Sequence, residues 1–185
     1  MSNNILNTII EHKLVEVAAR KKDMSIAELE AMPLFSAKTS SLKASIQEEG
    51  KTGIIAEFKR QSPSKGIINA IAGVEEVTKA YEQFGASGIS VLTDQTFFGG
   101  SLTDLSIAVA RTIPVLRKEF IVDEFQLIEA KAYGASVILL IGSAAMNFIY
   151  FNKYTTANNN LQQAQEKLSL ADQQMTLACR QSGWR

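Results

Sequence analysis

Between Gly53 and Ile141, short apolar runs rich in β-branched residues alternate with stretches of helical period. This alternation constrains the fold more than any other feature. Strands separated by helices pair in parallel through right-handed crossovers, so an α/β architecture follows. The strand-like runs are Ile54 to Lys59, Ile89 to Thr93, Pro114 to Phe120 and Val137 to Ile141. Helical stretches lie between them, around Val74–Phe84, Leu102–Ala110 and Asp123–Tyr133. Gly85-Ala86-Ser87 stands before the second run and Gly134-Ala135-Ser136 before the fourth. Glycine just past a helix end is the usual left-handed stop, so this repeat marks where a helix turns into the next strand.

The flanks differ in texture. Residues 3–20 mix Ile5, Ile9, Val15 and Val17 with Glu11, Lys13, Glu16 and Arg20 at helical spacing, which predicts an amphipathic helix. Ser25 precedes Glu28 in the capping-box arrangement, so a short helix is expected over Ser25–Glu30. Residues 33–50 predict a loop with one or two further helical turns. After Met146 the alternation stops, and residues 147–160 are rich in Asn, Tyr, Thr and Phe. Leu161, Ala164, Leu168, Ala171, Met175 and Ala178 then recur at spacings of three and four. Such a stripe suits one amphipathic helix covering apolar surface, or a coiled-coil partner helix.

Composition narrows the function classes. The 185 residues are enough for one domain with a sizeable core. Nineteen Lys and Arg balance nineteen Asp and Glu, so no net charge favours nucleic acid or an anionic membrane surface. Cys179 is the single cysteine, which fits a reducing compartment. The start lacks a signal-peptide layout and no apolar run reaches membrane-spanning length, so a cytoplasmic protein is expected. His12 has no metal-ligand spacing around it and reads as a solvated helix-face histidine. No dinucleotide or Walker-type glycine loop is present, so neither a dinucleotide nor an NTP is favoured.

Two strands carry charge where parallel strands are normally apolar. Period two puts Glu57 and Lys59 on one face of the first strand, opposite Phe58. On the third strand Leu116, Lys118 and Phe120 share a face, with Arg117 and Glu119 on the other. An ion pair at a strand end would explain Glu57 and Lys59 structurally. A site at the mouth of a barrel, where C-terminal strand ends converge, would explain them functionally. Two ammonium groups in one cavity disfavour each other's charge, and a carboxylate such as Glu57 opposes that. Ser62-Pro63-Ser64-Lys65-Gly66 suits an anion such as phosphate, or is an ordinary turn. Phe97-Phe98-Gly99-Gly100 offers a flat aromatic contact, or is core.

Several blocks together resemble one family. Ile54-Ile55-Ala56-Glu57-Phe58-Lys59-Arg60-Gln61-Ser62-Pro63-Ser64-Lys65-Gly66 looks like the signature segment of indole-3-glycerol phosphate synthases. The likeness continues through Ser90-Val91-Leu92-Thr93-Asp94, then Phe97-Phe98-Gly99-Gly100-Ser101, then Leu116 to Glu124, and on to Gln126, Glu129-Ala130 and Gly134-Ala135. It covers about residues 3–146. The resemblance implies a (β/α)8 TIM barrel with an N-terminal helical extension. It implies conversion of 1-(2-carboxyphenylamino)-1-deoxyribulose 5-phosphate to indole-3-glycerol phosphate, with loss of carbon dioxide and water. Lys118 then stands at the general acid, Lys59 at a second catalytic lysine, and Glu57 at the carboxylate that positions them. Ser62 matches a substrate-contacting serine. Phe98 and Phe120 match aromatics around the anthranilate ring.

Four βα units make only part of such a barrel. The expected division is a helical extension over residues 1–50, half of a barrel over 51–146, and a divergent tail over 147–185 that forms one amphipathic helix outside the family pattern. The family's later strands bring a general-base glutamate, an Asn-rich strand end, a further glutamate and a Gly/Ser phosphate site, none of which is found in residues 147–185. A truncated, frameshifted or recombined copy, inactive alone, is therefore expected. The alternative is a non-catalytic half-barrel module that binds a phosphate ligand or pairs with another chain. Exposed sheet edges would allow self-association.

Overall fold

The computed structural model describes residues 5–139. Three helices lead: α1 (Ile5–Asp23), α2 (Ile26–Glu30) and α3 (Leu42–Gln47). Ser25 caps α2 as its spacing predicts. Its hydroxyl accepts from the Glu28 backbone N–H, and the Glu28 carboxylate accepts from the Ser25 N–H at 2.7 Å. Ser41 caps α3 by accepting from the Ala44 N–H.

The alternating part then begins with β1 (Ile55–Phe58) and a hairpin of β2 (Gln61–Ser62) and β3 (Gly66–Ile67). It continues with α4 (Val74–Gln83), β4 (Gly88–Leu92), α5 (Gln95–Phe98) and α6 (Leu102–Ala108). It ends with β5 (Val115–Lys118), α7 (Phe125–Ala132) and β6 (Val137–Ile138). The main sheet has four parallel strands in the order β1-β4-β5-β6. Each crossover steps to the next strand in the same direction. A doubly wound sheet would reverse direction at the first strand; this one does not.

The Gly-Ala-Ser repeat works at the level of the backbone. Gly85 and Gly134 end α4 and α7 at φ +78° and +83°. Two residues on, the Ser87 N–H donates to the Ile54 carbonyl and the Ser136 N–H donates to the Val115 carbonyl, both at 2.8 Å. Each helix stop thus enters its strand in register with an earlier strand.

The central strand β4 is buried along its whole length. Ile89 and Val91 pack with Leu105, Ala108, Val115 and Ala130, which places one core between the sheet and its helices. A second cluster joins Val17 and Leu29 of the leading helices to Phe125 and Ala132 of α7. The N-terminal extension is thereby docked on the α/β part by apolar contact.

Three features differ from the sequence reading. The Ser-Pro-Ser-Lys-Gly turn closes a true hairpin, with Gln61 paired to Ile67 and Ser62 to Gly66. A short helix absent from the sequence reading precedes Gly99, capped by the Asp94 carboxylate on the Phe97 N–H. On α1, Val15 is 73% exposed while Lys13 is fully buried, so the helix does not sort apolar from charged residues as its pattern predicts. The end of the fourth strand-like run, the stripe Leu161 to Ala178 and Cys179 lie outside the described residues. So does the whole of the predicted tail, residues 147–185.

Candidate active site

All of the charged groups picked out on the strands fall at C-terminal strand ends or just beyond. Glu57 projects from β1, and Lys59 follows that strand directly. Tyr81 of α4 donates from its hydroxyl to the Glu57 carbonyl at 3.0 Å and so holds the backbone there. Lys118 closes β5, two strands away across β4. The Glu57 carboxylate lies between the two lysines. Its Oε1 accepts from Lys59 Nζ at 2.7 Å, and its Oε2 accepts from Lys118 Nζ. One carboxylate is therefore shared by two ammonium groups. Partial burial pushes the Glu57 carboxyl up, but Lys118 and Lys59 outweigh it and hold it below its ordinary value. The local charge is net positive, and the Lys118 side chain is 39% exposed. An anionic ligand can reach it.

Beside Lys118 lies a mostly apolar cavity of about 180 Å³, lined by Leu92, Asp94, Phe98, Lys118, Glu119, Phe120 and Leu139. The Phe98 and Phe120 rings stand 6.1 Å apart, tilted by 36°. Two rings this close pack on each other and form one aromatic wall of the cavity, against which a flat aromatic group can lie. Phe98 is set by the cap on α5. Phe120 is set by two bonds, its N–H donating to Glu119 Oε1 and its carbonyl accepting from Gln126 Nε2, both at 2.9 Å. Gly100 must be glycine. A Cβ there would lie 1.9 Å from the Leu92 carbonyl oxygen, because the chain folds back under the end of β4.

Ser62 is neither a partner of the Glu57 cluster nor part of the cavity lining. Its hydroxyl accepts from the Lys65 N–H inside the hairpin turn. Arg60, which the sequence reading passed over, ties the loop after β1 to the loop after β4. It makes a two-pronged bond to Asp104 at 2.6 and 2.8 Å, reaches the Gly99 carbonyl, and lies 4.7 Å over the Phe58 ring. His12 is exposed as expected and meets Phe97 edge-on at 5.5 Å.

Adjoining the open site is a buried ionic cluster that sequence reasoning missed, two of whose carboxylates, Asp94 and Glu119, also line the cavity. Arg117 is fully buried, bonded to Glu129 at 2.7 Å, to the Gln126 carbonyl and to the Thr93 hydroxyl. Arg20 of α1 meets the same Glu129 at 2.9 Å. Lys13 reaches Glu16, Asp94 and Glu119 at 2.7, 2.9 and 3.2 Å. Period two did put Arg117 and Glu119 on one face, but nothing in the spacing pointed to partners on α1. Among the described residues no cluster of His, Cys, Asp and Glu could hold a metal ion. No helix among them is long and apolar enough to cross a membrane.

The family model for indole-3-glycerol phosphate synthase matches residues 6–168. The chain belongs to that family. The match runs past Met146, where the likeness read block by block ends. The indole-3-glycerol phosphate synthase of Bacteroides thetaiotaomicron is 44% identical over 142 residues, 76% of this chain and 54% of that protein. The synthase of Mycolicibacterium smegmatis is 43% identical over 144 residues, 77% of this chain and 53% of that protein. That of Mycobacterium avium is 43% identical over 141 residues. The chain spans about half the length of the curated relatives it matches.

Proposed function

We propose that this chain carries the acid-catalysis part of an indole-3-glycerol phosphate synthase site, a carboxy-lyase of tryptophan biosynthesis. The observation that carries this reading is the Glu57 carboxylate held between Lys59 and Lys118 beside a cavity with an aromatic wall. The substrate is 1-(2-carboxyphenylamino)-1-deoxyribulose 5-phosphate, which is anionic at both ends. Its aryl ring lies against the wall formed by Phe98 and Phe120. The ring carbon bearing the carboxylate bonds to the substrate's carbonyl carbon while Lys118 gives a proton to the carbonyl oxygen. Carbon dioxide leaves and restores the aromatic ring. The resulting hydroxyl takes a second proton and departs as water while the neighbouring CH2 carbon beside nitrogen gives up one proton, which forms the ring double bond of indole-3-glycerol phosphate. Lys59 engages the substrate and hands on protons. Glu57 positions both ammonium groups, and Ser62 contacts the substrate from the hairpin. The reaction needs no metal or organic cofactor in this scheme.

The sequential parallel order β1-β4-β5-β6 supports reading the sheet as wall of a (β/α)8 barrel, with the site on its C-terminal face. The soluble cytoplasm is the compartment this reading assigns. β1 and β6 each have one strand neighbour among the described residues, so self-association through those edges is part of the proposal. Assayed alone, the 185-residue chain is expected to turn over at least ~10² times more slowly than the relatives, for want of the general-base and phosphate groups.

The test is a graft of residues 5–139 in place of the matching segment of the Bacteroides thetaiotaomicron synthase. The graft is expected to turn over substrate, and Lys118→Ala within it to lower kcat by about 10²–10⁴-fold. Turnover that ignores Lys118→Ala would remove Lys118 from the chemistry.

A further inference from the structure

Lys13 lies on the N-terminal extension, outside every segment that carries the catalytic groups, yet its side chain is fully buried against two of them. Its ammonium sits 2.9 Å from Asp94 Oδ2 and 3.2 Å from Glu119 Oε1, with Glu16 of its own helix at 2.7 Å. Asp94 and Glu119 are themselves buried. Both line the aromatic cavity. Each also holds one ring of its aromatic wall. Asp94 Oδ1 accepts from the Phe97 N–H at 2.6 Å and so caps the short helix that presents Phe98. Glu119 Oε1 accepts from the Phe120 N–H at 2.9 Å, and Glu119 Oε2 accepts from the Thr93 hydroxyl at 2.9 Å.

We propose that Lys13 is a positioning residue of the site: one ammonium from the extension clasps Asp94 and Glu119 and thereby sets the Phe98 and Phe120 wall of the cavity. The inference deepens the proposed function and rests on that reading for the identity of the ligand. The clasp has a physical reason. Two buried carboxylates facing one cavity repel, and leaving them ionised without a cation is costly. Asp94 Oδ2 has no hydrogen-bond donor among the described residues, so the Lys13 ion pair is what compensates it. Burial would lower the Lys13 pKa, but Glu119, Asp94 and Glu16 outweigh it and hold the ammonium above its ordinary value, so it stays charged. Arg117 lies 3.9 Å from Glu119 but is committed to Glu129.

Lys13→Met and Lys13→Arg in the full chain test this by site-resolved amide exchange and by ligand binding. The probe is the proposed substrate with its carbonyl reduced to an alcohol, followed through the fluorescence of its 2-aminobenzoate group. In Lys13→Met the amides of Phe97 and Phe120 are expected to exchange about tenfold faster, while those of Val91 and Arg117 inside the sheet keep their protection. Binding of the probe is expected to weaken by about tenfold, and Lys13→Arg to recover part of both losses. Unchanged Phe97 and Phe120 amides would overturn the proposal. So would a uniform rise at all amides, the sign of a merely structural role. Where Lys13→Met does not fold, Lys13→Gln carries the same comparison. A parent chain that does not bind the probe counts against the proposed function; the amide pattern then decides for or against the clasp by itself.

Discussion

Arg117 and Lys118 are neighbours on β5 that live in opposite surroundings. Arg117 is sealed in, its fork bonded to the Thr93 hydroxyl, the Gln126 carbonyl and the Glu129 carboxylate. Lys118 is partly open and shares one carboxylate with Lys59. On the buried side three cations, Lys13, Arg20 and Arg117, face four carboxylates, Glu16, Asp94, Glu119 and Glu129. On the open side two cations face one. Ion-paired charges that are largely buried fix geometry, because any rearrangement strands a charge away from water. Open, under-compensated charges leave an electrostatic vacancy for an anionic substrate. On the proposed function, one strand would build the frame with one face and serve the chemistry with the other.

The comparison can be broken most severely at Arg117. Replacing it by Met leaves Glu129 with Arg20 alone and deprives the Gln126 carbonyl of its donor. A loss of about 3–5 kcal/mol in unfolding free energy is expected, read from denaturant melts. A loss under about 1 kcal/mol would mean that the buried cluster is not the frame. Lys21 and Asp123 supply the opposite control, an ion pair at 2.8 Å whose side chains are both well exposed. Lys21→Met should cost only about 0–1 kcal/mol in the same melts.

The smallest effect sharpens the open side. Glu57 has a folded pKa below its ordinary 4.5, so its ion pairs add stability above that pH. The contribution is lost as pH falls through the lowered folded value. Comparing Tm for the parent chain and Glu57→Gln from about pH 6 to about pH 3 should show a gap that closes at the acid end. A gap that widens in acid would reverse the assigned sign.

What was legible in the sequence follows from distance along the chain. The strand and helix order is written in local periodicity. The left-handed stops are written in Gly85 and Gly134, and the shared face of Glu57 and Lys59 follows from period two alone. That Lys118 meets Glu57 came from the resemblance together with the convergence of strand ends, and the structure places them in contact. Lys13 was not legible. A lysine in a helical pattern reads as solvent-facing, and its partners Asp94 and Glu119 lie far along the chain with no spacing that links them to it. The hairpin at Gln61–Ser62 and Gly66–Ile67 and the one-turn helix α5 are too short for periodicity to register. Turn-forming residues between Ser62 and Gly66 hid the pairing on either side.

At the centre is the proposed division of labour between the two faces of β5. Its most direct test is to measure unfolding free energy and turnover together for Arg117→Met and Lys118→Ala, in the graft that carries residues 5–139. The expected result is a crossed pattern: Lys118→Ala loses about 10²–10⁴-fold in kcat with stability within about 1 kcal/mol of the parent, and Arg117→Met loses about 3–5 kcal/mol of stability. At a temperature where it is still folded, Arg117→Met should retain most of its kcat. Equal losses in both quantities for both variants would contradict the division.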